Sequence, residues 1–339
     1  MTMARISTLA FAKRAAAIEV EALSKEYRQK RTVVQAVKGL NLTVPAGQIF
    51  GFLGANGAGK TTAIKMICGL VTPTTGSIRV NGYDVIRERG MAMRQIGAVL
   101  EGTRNIYWRL SAWENLMYFG RLKGCSRKER QARARQLLQE LDLWERCDDP
   151  VRLFSRGMQQ KVAIACALIA DPPIVLLDEP TLGLDIQAAR TVKEWVSKLA
   201  NERGKTVILT THQLDMAQSL CHRVAIMRKG DLLADQPLTE LLHLFQQEHY
   251  QIKIGGLLAE PYPGWCDSFS IEVEDGVTTL SGAIEDQRTV TELLAQLNRL
   301  PLTLLSLERV APSLENVFIR LLEEKKEEQH EEHFVSCLQ

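Results

Sequence analysis

Hydrophobic and polar positions along this chain change their period several times. A strand-like run at Ala17–Ala22 is followed by a second at Val33–Val44, broken near Lys38-Gly39, and by Gln48–Leu53, so the first part of the chain reads as β-structure. From Lys60 apolar positions recur at helical spacing. A helix is predicted over Thr62–Leu70, and several amphipathic helices, Lys128–Leu141 among them, between Asn105 and Ala170. Ile174–Leu177 and Thr206–Thr210 are short apolar runs between helical stretches, as parallel strands buried on both faces are. Together these patterns predict an α/β core with a helical insert. The longest uninterrupted apolar stretch, Val162–Ala170, stops at Asp171, well short of the roughly 18 residues of a membrane helix, so no bilayer span is expected.

The pattern changes again after Gln236-Pro237 and a helix through Leu242, and residues 255–268 are rich in Gly and Pro. A boundary is placed near residue 247. Beyond it, Phe269–Val273 and Val277–Leu280 alternate and are joined across Asp275-Gly276, a hairpin signal. Val290, Leu293, Leu294 and Leu297 mark a helix ended by Pro301, Leu302–Leu307 is another strand, and Pro312-Ser313 starts a last helix. The expected organisation is an N-terminal extension (1–17), a first domain (18–247), a small C-terminal α+β domain (248–322) and a charged tail (323–339). The extension carries Arg5, Lys13 and Arg14 and no acid, and the tail six Glu and two Lys over Glu323–His333.

Composition adds little beyond exclusions. With 339 residues, 45% hydrophobic and 24% charged, the chain is an ordinary globular protein of roughly two domains. Its net charge of +2 gives no electrostatic reason to expect a nucleic-acid partner. Seven cysteines without close pairing read as reduced thiols, which points to the cytosol.

Specific chemistry enters at Gly54-Ala-Asn-Gly-Ala-Gly-Lys60-Thr61, which fits G-x-x-x-x-G-K-[ST] between a predicted strand and a predicted helix. In such a loop Gly54, Gly57 and Gly59 let successive backbone N–H groups point at phosphate oxygens. Lys60 holds the β and γ phosphates, and Thr61 offers its hydroxyl to Mg²⁺. Asn56, Ala58 and Thr62 are counted with the phosphate-facing residues. Ile174-Val-Leu-Leu-Asp178-Glu179 ends an apolar strand in two carboxylates, delivered to the crevice where an α/β sheet binds ligands. Asp178 can serve Mg²⁺ through a water, and Glu179 can take a proton from an attacking water.

The combination resembles the ATP-binding cassette ATPases. Phe154-Ser-Arg-Gly-Met158-Gln-Gln is similar to their signature loop, Thr181-Leu-Gly-Leu-Asp185 to their D-loop, and Leu209-Thr-Thr-His212 to their switch-histidine strand; the likeness covers about residues 18–245. It implies a P-loop α/β nucleotide-binding domain with antiparallel β and helical subdomains. Tyr27 would stack on adenine. Ser155 and Gly157, opening a helix, would meet the γ-phosphate held by a second copy of the chain, with Asp185 at the same nucleotide and His212 at the γ-phosphate. The resemblance thus implies a dimer around two MgATP.

Two departures stand out: Glu101 replaces the usual Gln after Ile96–Leu100, keeping an oxygen ligand for Mg²⁺, and Phe154, Arg156 and Met158 replace the commoner signature residues. Arg104–Tyr118, with Tyr107, Trp108 and Trp113, lies where relatives dock their membrane subunits; subdomain packing explains an aromatic cluster equally well. The C-terminal Leu307–Phe318 resembles ATPase subunits of the daunorubicin-resistance exporter type. The implied function is the ATPase subunit of an export-type transporter, driving a separately encoded permease from the cytoplasmic face of the membrane. The C-terminal domain, without a nucleotide motif, is expected to serve dimerisation or regulation. The alternative is a soluble cassette ATPase acting on ribosomes or DNA; a single motif set and the short interval from Glu101 to Ser155 weigh against it.

Overall fold

Strands with no polar face form the centre of a six-stranded sheet. Ile49–Leu53 (β3) and Ile174–Asp178 (β7) are buried at every position, and so is Thr206–Thr211 (β8). Their neighbours are Ile96–Val99 (β6), Arg223–Arg228 (β9) and Asp231–Pro237 (β10), in the order β10-β9-β3-β8-β7-β6. All pairs are parallel except β9 with β10 at one edge. Buried apolar runs therefore read as parallel strands, as their pattern predicts. The computed structural model describes residues 16–29, 32–102, 105–244, 249–256, 269–274, 276–283, 287–297, 302–310, 313–319 and 321. Among these, no helix is long and apolar enough to cross a membrane.

A second, antiparallel sheet is built from Ala16–Gln29 (β1), Thr32–Pro45 (β2), Thr75–Val80 (β4) and Tyr83–Asp84 (β5), ordered β2-β1-β4-β5. It differs from the sequence expectation at three points. β2 runs unbroken through Lys38-Gly39: Gly39 takes φ +54, its N–H donates to Ser24 Oγ at 2.8 Å, and a bulge in β2 between the pairs Leu23↔Leu40 and Lys25↔Val37 absorbs the irregularity. β1 does not stop at Ala22 but passes through it at φ 45 and continues to Gln29. It also begins inside the expected extension, because Ala16 and Ala17 are already strand and Ala17 is buried; residues 1–15 lie outside the described ones. Lys38 ties this sheet to the central one, its N–H donating to Gly230 O at 2.9 Å and its Nζ pairing with Asp231 at 2.6 Å.

The helical elements of this unit are Lys60–Ile67 (α1), Arg89–Arg94 (α2), Ala112–Leu122 (α3), Arg127–Glu140 (α4), Arg156–Leu168 (α5), Ile186–Asn201 (α6) and Leu214–Leu220 (α7). α1 ends before the predicted Leu70 because Gly69 turns left-handed at φ +64. Ser111 with Glu114 and Ser126 with Glu129 form reciprocal capping boxes at the starts of α3 and α4. Asp171, itself at φ 55, accepts the Arg133 guanidinium of α4 and Lys205 Nζ at 2.7 Å, and Arg203 bonds Glu140 at 2.6 Å. Two ion-pair sites thus tie α4 to the loops that lead into β7 and β8. α5 lies close on β6: a Cβ on Gly97 would stand 2.2 Å from Ala167 O.

The chain divides into two compact units at Leu238/Thr239, at the start of the helix Leu238–Leu244 (α8) rather than after it at 247. In the second unit His249–Gly255 (β11), Phe269–Glu274 (β12), Val277–Ala283 (β13) and Thr303–Val310 (β14) form an antiparallel sheet ordered β12-β13-β11-β14. The hairpin joins Glu274 to Val277, with Gly276 at φ +77. Ile252, Ile254 and Leu280 pack on Leu293 and Leu297 of Gln287–Leu297 (α9). Residues 314–319 form the final helix, capped by Ser313 Oγ on Asn316 N–H. The acidic tail lies outside the described residues. Cys68, Cys125, Cys147, Cys166 and Cys221 are free thiols, and burial pushes Cys68 and Cys221 up to about 12; Cys266 and Cys337 are not among the described residues.

Because the clearance at Gly97 is set by backbone, Gly97→Ala should lower the stability of the first unit by about 1–3 kcal/mol, read as a lower urea midpoint. An unchanged midpoint would show that α5 can move off β6 without cost.

Candidate nucleotide site

The loop that closes β3 into α1 is shaped by what surrounds it. Gly59 stands at φ +107, and a Cβ there would come within 2.4 Å of Ala36 O, so both backbone conformation and the β2 wall exclude a side chain. Gly57 (φ +81) faces open space, which leaves the outer side of the loop free for a ligand. Lys60 is buried, and its ammonium donates to Gly54 O at 2.5 Å and Ala55 O at 3.2 Å. Burial lowers its pKa, opposed by the negative charges of Glu179, Asp178 and Glu101.

Those acids stand where parallel strands end. Asp178 of β7 and Thr210 of β8 are register partners. Asp178 is only 3% exposed; its Oδ1 accepts the Thr210 hydroxyl and its Oδ2 accepts the Glu101 N–H at 3.3 Å. The next residue, Glu179, turns out of the strand with φ 48, a backbone state that costs a non-glycine residue about 1–3 kcal/mol. Its N–H is held by Thr210 O at 3.1 Å and Thr210 Oγ1 at 3.2 Å. Its carboxylate Oε1 lies 2.9 Å from His212 Nδ1, which facing a carboxylate is the donor. Downstream, Thr181 donates to Gln213 Oε1 at 2.9 Å, linking the segment after Glu179 to the one after His212.

One cleft is lined by Asn56 through Thr62, Glu101, Glu179 and His212. Asp178 faces an adjoining cleft shared with Glu101, Glu179 and Arg156. Glu101 itself is exposed, and its loop is pinned by Asn105, which donates to Leu100 O at 2.6 Å; Thr103 and Arg104 are outside the described residues. The other expected residues do not join this cleft. Tyr27 sits on β1, 38% exposed, with Lys25 Nζ 5.3 Å from its ring centroid. Ser155 Oγ caps α5 by accepting the Met158 N–H at 3.3 Å, and Asp185 caps α6 by accepting the Ala188 N–H at 2.8 Å. Gly157 has a packing reason to lack a side chain, since its Cβ would meet Ala188 Cβ at 2.7 Å.

The aromatic segment separates into two environments. Trp113 packs edge-on against Trp144 at 6.1 Å, inside the helical insert. Tyr107, Trp108 and Tyr118 are 49%, 46% and 40% exposed, with the two tyrosine hydroxyls 3.3 Å apart. Thr210 and Thr181 fall inside segments singled out in the sequence, but neither is assigned a role of its own there. The signal that could have found Thr210 is a polar residue opposite Asp178, which is visible only once the two strands are placed in register.

Comparison with known proteins identifies the family. Residues 37–182 match the family described as ABC transporter, and residues 249–308 match a domain of unknown function. The linearmycin resistance ATP-binding protein LnrL of Bacillus subtilis (strain 168) is 34% identical over 310 residues, covering 90% of this chain and 97% of that protein. The daunorubicin/doxorubicin resistance ATP-binding protein DrrA of Streptomyces peucetius is 34% identical over 309 residues, 90% of this chain and 92% of that one. The dimeric cassette MJ0796, in a post-hydrolysis state bound to ADP and Pi, superposes with a TM-score of 0.60 at 28% identity. The match covers 65% of this chain and 98% of that structure. With relatives matched over nearly their whole length and a P-loop facing two strand-end acids, this chain belongs to the ATP-binding subunits of ABC transporters.

Proposed function

We propose that this chain powers an export-type transporter, two copies closing on two ATP molecules and driving a separate membrane permease. The observation that carries the reading is the meeting of Lys60, the P-loop amides, Glu179 and His212 in one cleft. Loop N–H groups and the α1 terminus hold the phosphates, and the Lys60 ammonium offsets the charge that builds on them. Glu179, steadied by His212, takes a proton from the water that attacks the γ-phosphorus; the P–O bond to ADP breaks and phosphate leaves. Ser155 and Gly157 receive the partner's γ-phosphate, Asp185 approaches the same nucleotide, and Tyr27 carries the adenine. The names of LnrL, DrrA and a Nod factor export ATP-binding protein of Neorhizobium galegae, 35% identical over 309 residues, support the exporter class.

The residues present suit Mg²⁺. Thr61, Asp178 and Glu101 are hard oxygen donors, and Asp178 is buried yet keeps Oδ2 with a single long N–H contact. A divalent cation there would complete its shell with phosphate oxygens and water. When bound, it neutralises phosphate charge.

Glu179→Gln keeps the shape of the side chain but cannot accept the proton, so hydrolysis should fall by about 10²- to 10⁴-fold while ATP binding survives. The variant should accumulate as an ATP-bound dimer in light scattering, whereas Lys60→Ala should lose ATP and stay monomeric. Wild-type turnover by Glu179→Gln would remove the base assignment, and a monomeric ATP complex would remove the paired mechanism.

The permease contact is assigned to the exposed Tyr107, Trp108 and Tyr118. Trp108→Ala should release the chain from membranes containing its co-expressed permease and leave its own ATP hydrolysis unchanged. Full retention at the membrane with normal transport would exclude this surface.

A further inference from the structure

Three threonines of β8 have partnered hydroxyls. Thr206 Oγ1 accepts Gly47 N–H at 2.9 Å, a long-range tie to the turn before β3, and Thr211 Oγ1 accepts Gln213 N–H at 2.9 Å, a local closure; each serves one backbone N–H away from the acids. Thr210 differs, because its single hydroxyl reaches both acids of the site. Its proton goes to Asp178 Oδ1, and its oxygen accepts the Glu179 N–H at 3.2 Å. The side chain is fully buried, in a strand where every neighbour is buried too. Valine would fill that space and suit a buried parallel strand as well, without a polar group that must be satisfied. A hydroxyl here answers a need that valine cannot meet.

That need follows from the geometry of the acids. A carboxylate on a strand end has a broad, two-fold χ2 torsion, so something must select the orientation of Asp178. The bond from Thr210 to Oδ1 does so and leaves Oδ2 for the Glu101 N–H and the cleft. Glu179 stands in a left-handed turn that persists only when its surroundings over-determine it, and both holds on its N–H come from Thr210. We propose that Thr210 is a positioning residue for ATP hydrolysis, its hydroxyl orienting the Asp178 carboxylate and fixing the turn that aims Glu179. The inference rests on the reading of Asp178 and Glu179 given above. Thr210 itself is fully buried and lines neither of the two clefts described above.

The test uses the full chain carrying Thr210→Val, Thr210→Ala or Thr210→Ser, with Glu179→Gln measured alongside. Turnover is followed together with ATP affinity by equilibrium dialysis, in EDTA and in Mg²⁺. Removing a group that orients a metal-facing ligand typically costs about 10- to 100-fold, so kcat of the Val and Ala variants should fall by that factor. Their ATP affinity in EDTA should match wild type, because the P-loop is untouched, while the gain in affinity on adding Mg²⁺ should shrink. Thr210→Ser should restore both properties. Wild-type kcat and Mg²⁺ gain in a folded Val or Ala variant would overturn the proposal. So would a Ser variant as impaired as Val, loss of ATP affinity in EDTA, or failure of both Val and Ala to fold, each of which marks a structural role. If Glu179→Gln turns over like wild type, the reading of the acids falls. If Glu179→Gln is slow while Thr210→Val is fast, only the role of Thr210 falls.

Discussion

The register between β7 and β8 is the constraint on which the site depends. Because the two strands are parallel and paired from Ile174↔Thr206 to Asp178↔Thr210, both run out at the same level. Glu179 and His212 then leave the sheet side by side and meet at 2.9 Å. A slip of one residue would turn Asp178 to the opposite face of the sheet and separate that pair. The register is protected by burial: with every position of both strands inside, a shift would expose no face to water and would misfit both layers at once.

Charge balance builds on that arrangement. Three acids, Glu101, Asp178 and Glu179, face one buried ammonium, Lys60, whose desolvation they partly offset. Taken alone this cluster is rich in negative charge, and a triphosphate would add more. The P-loop amides, the start of α1 and a divalent cation are the physical means by which such a cleft accepts phosphate. The strained backbone of Glu179 belongs to the same economy of design, since the turn that costs energy is the one that brings its carboxylate from the strand into the cleft.

Parts of this were legible in the sequence because local chemistry dictates consecutive residues. The P-loop needs its glycines, Lys60 and Thr61 in one short stretch, and Asp178-Glu179 follows a short apolar run that reads as a buried strand. What was not legible depends on pairs distant in the chain. Gly39 reads as a strand break, yet a bulge opposite Ser24 absorbs it. The strand-like pattern of the first run stops at Ala22, yet pairing of Lys25 and Glu26 with β2 and of Ser24 with Thr75 carries β1 on to Gln29. Trp108 and Trp113 look alike in sequence and only the position of Trp144 separates them. Gly157 and Asp185 were singled out for nucleotide chemistry, and the fold adds a local reason for each in the contact between α5 and α6 and in the cap of α6.

In the proposed mechanism the strand ends form a preset platform onto which ATP settles. A crystal structure of the chain with Mg²⁺ and a non-hydrolysable ATP analogue tests it directly. The triphosphate is expected on the P-loop, with its γ-phosphate beside Lys60 and facing Glu179. The bonds of Thr210 to Asp178 and to the Glu179 N–H are expected to remain in place. A nucleotide seated elsewhere, or a Glu179 that reaches the phosphate only after those bonds break, would contradict this mechanism.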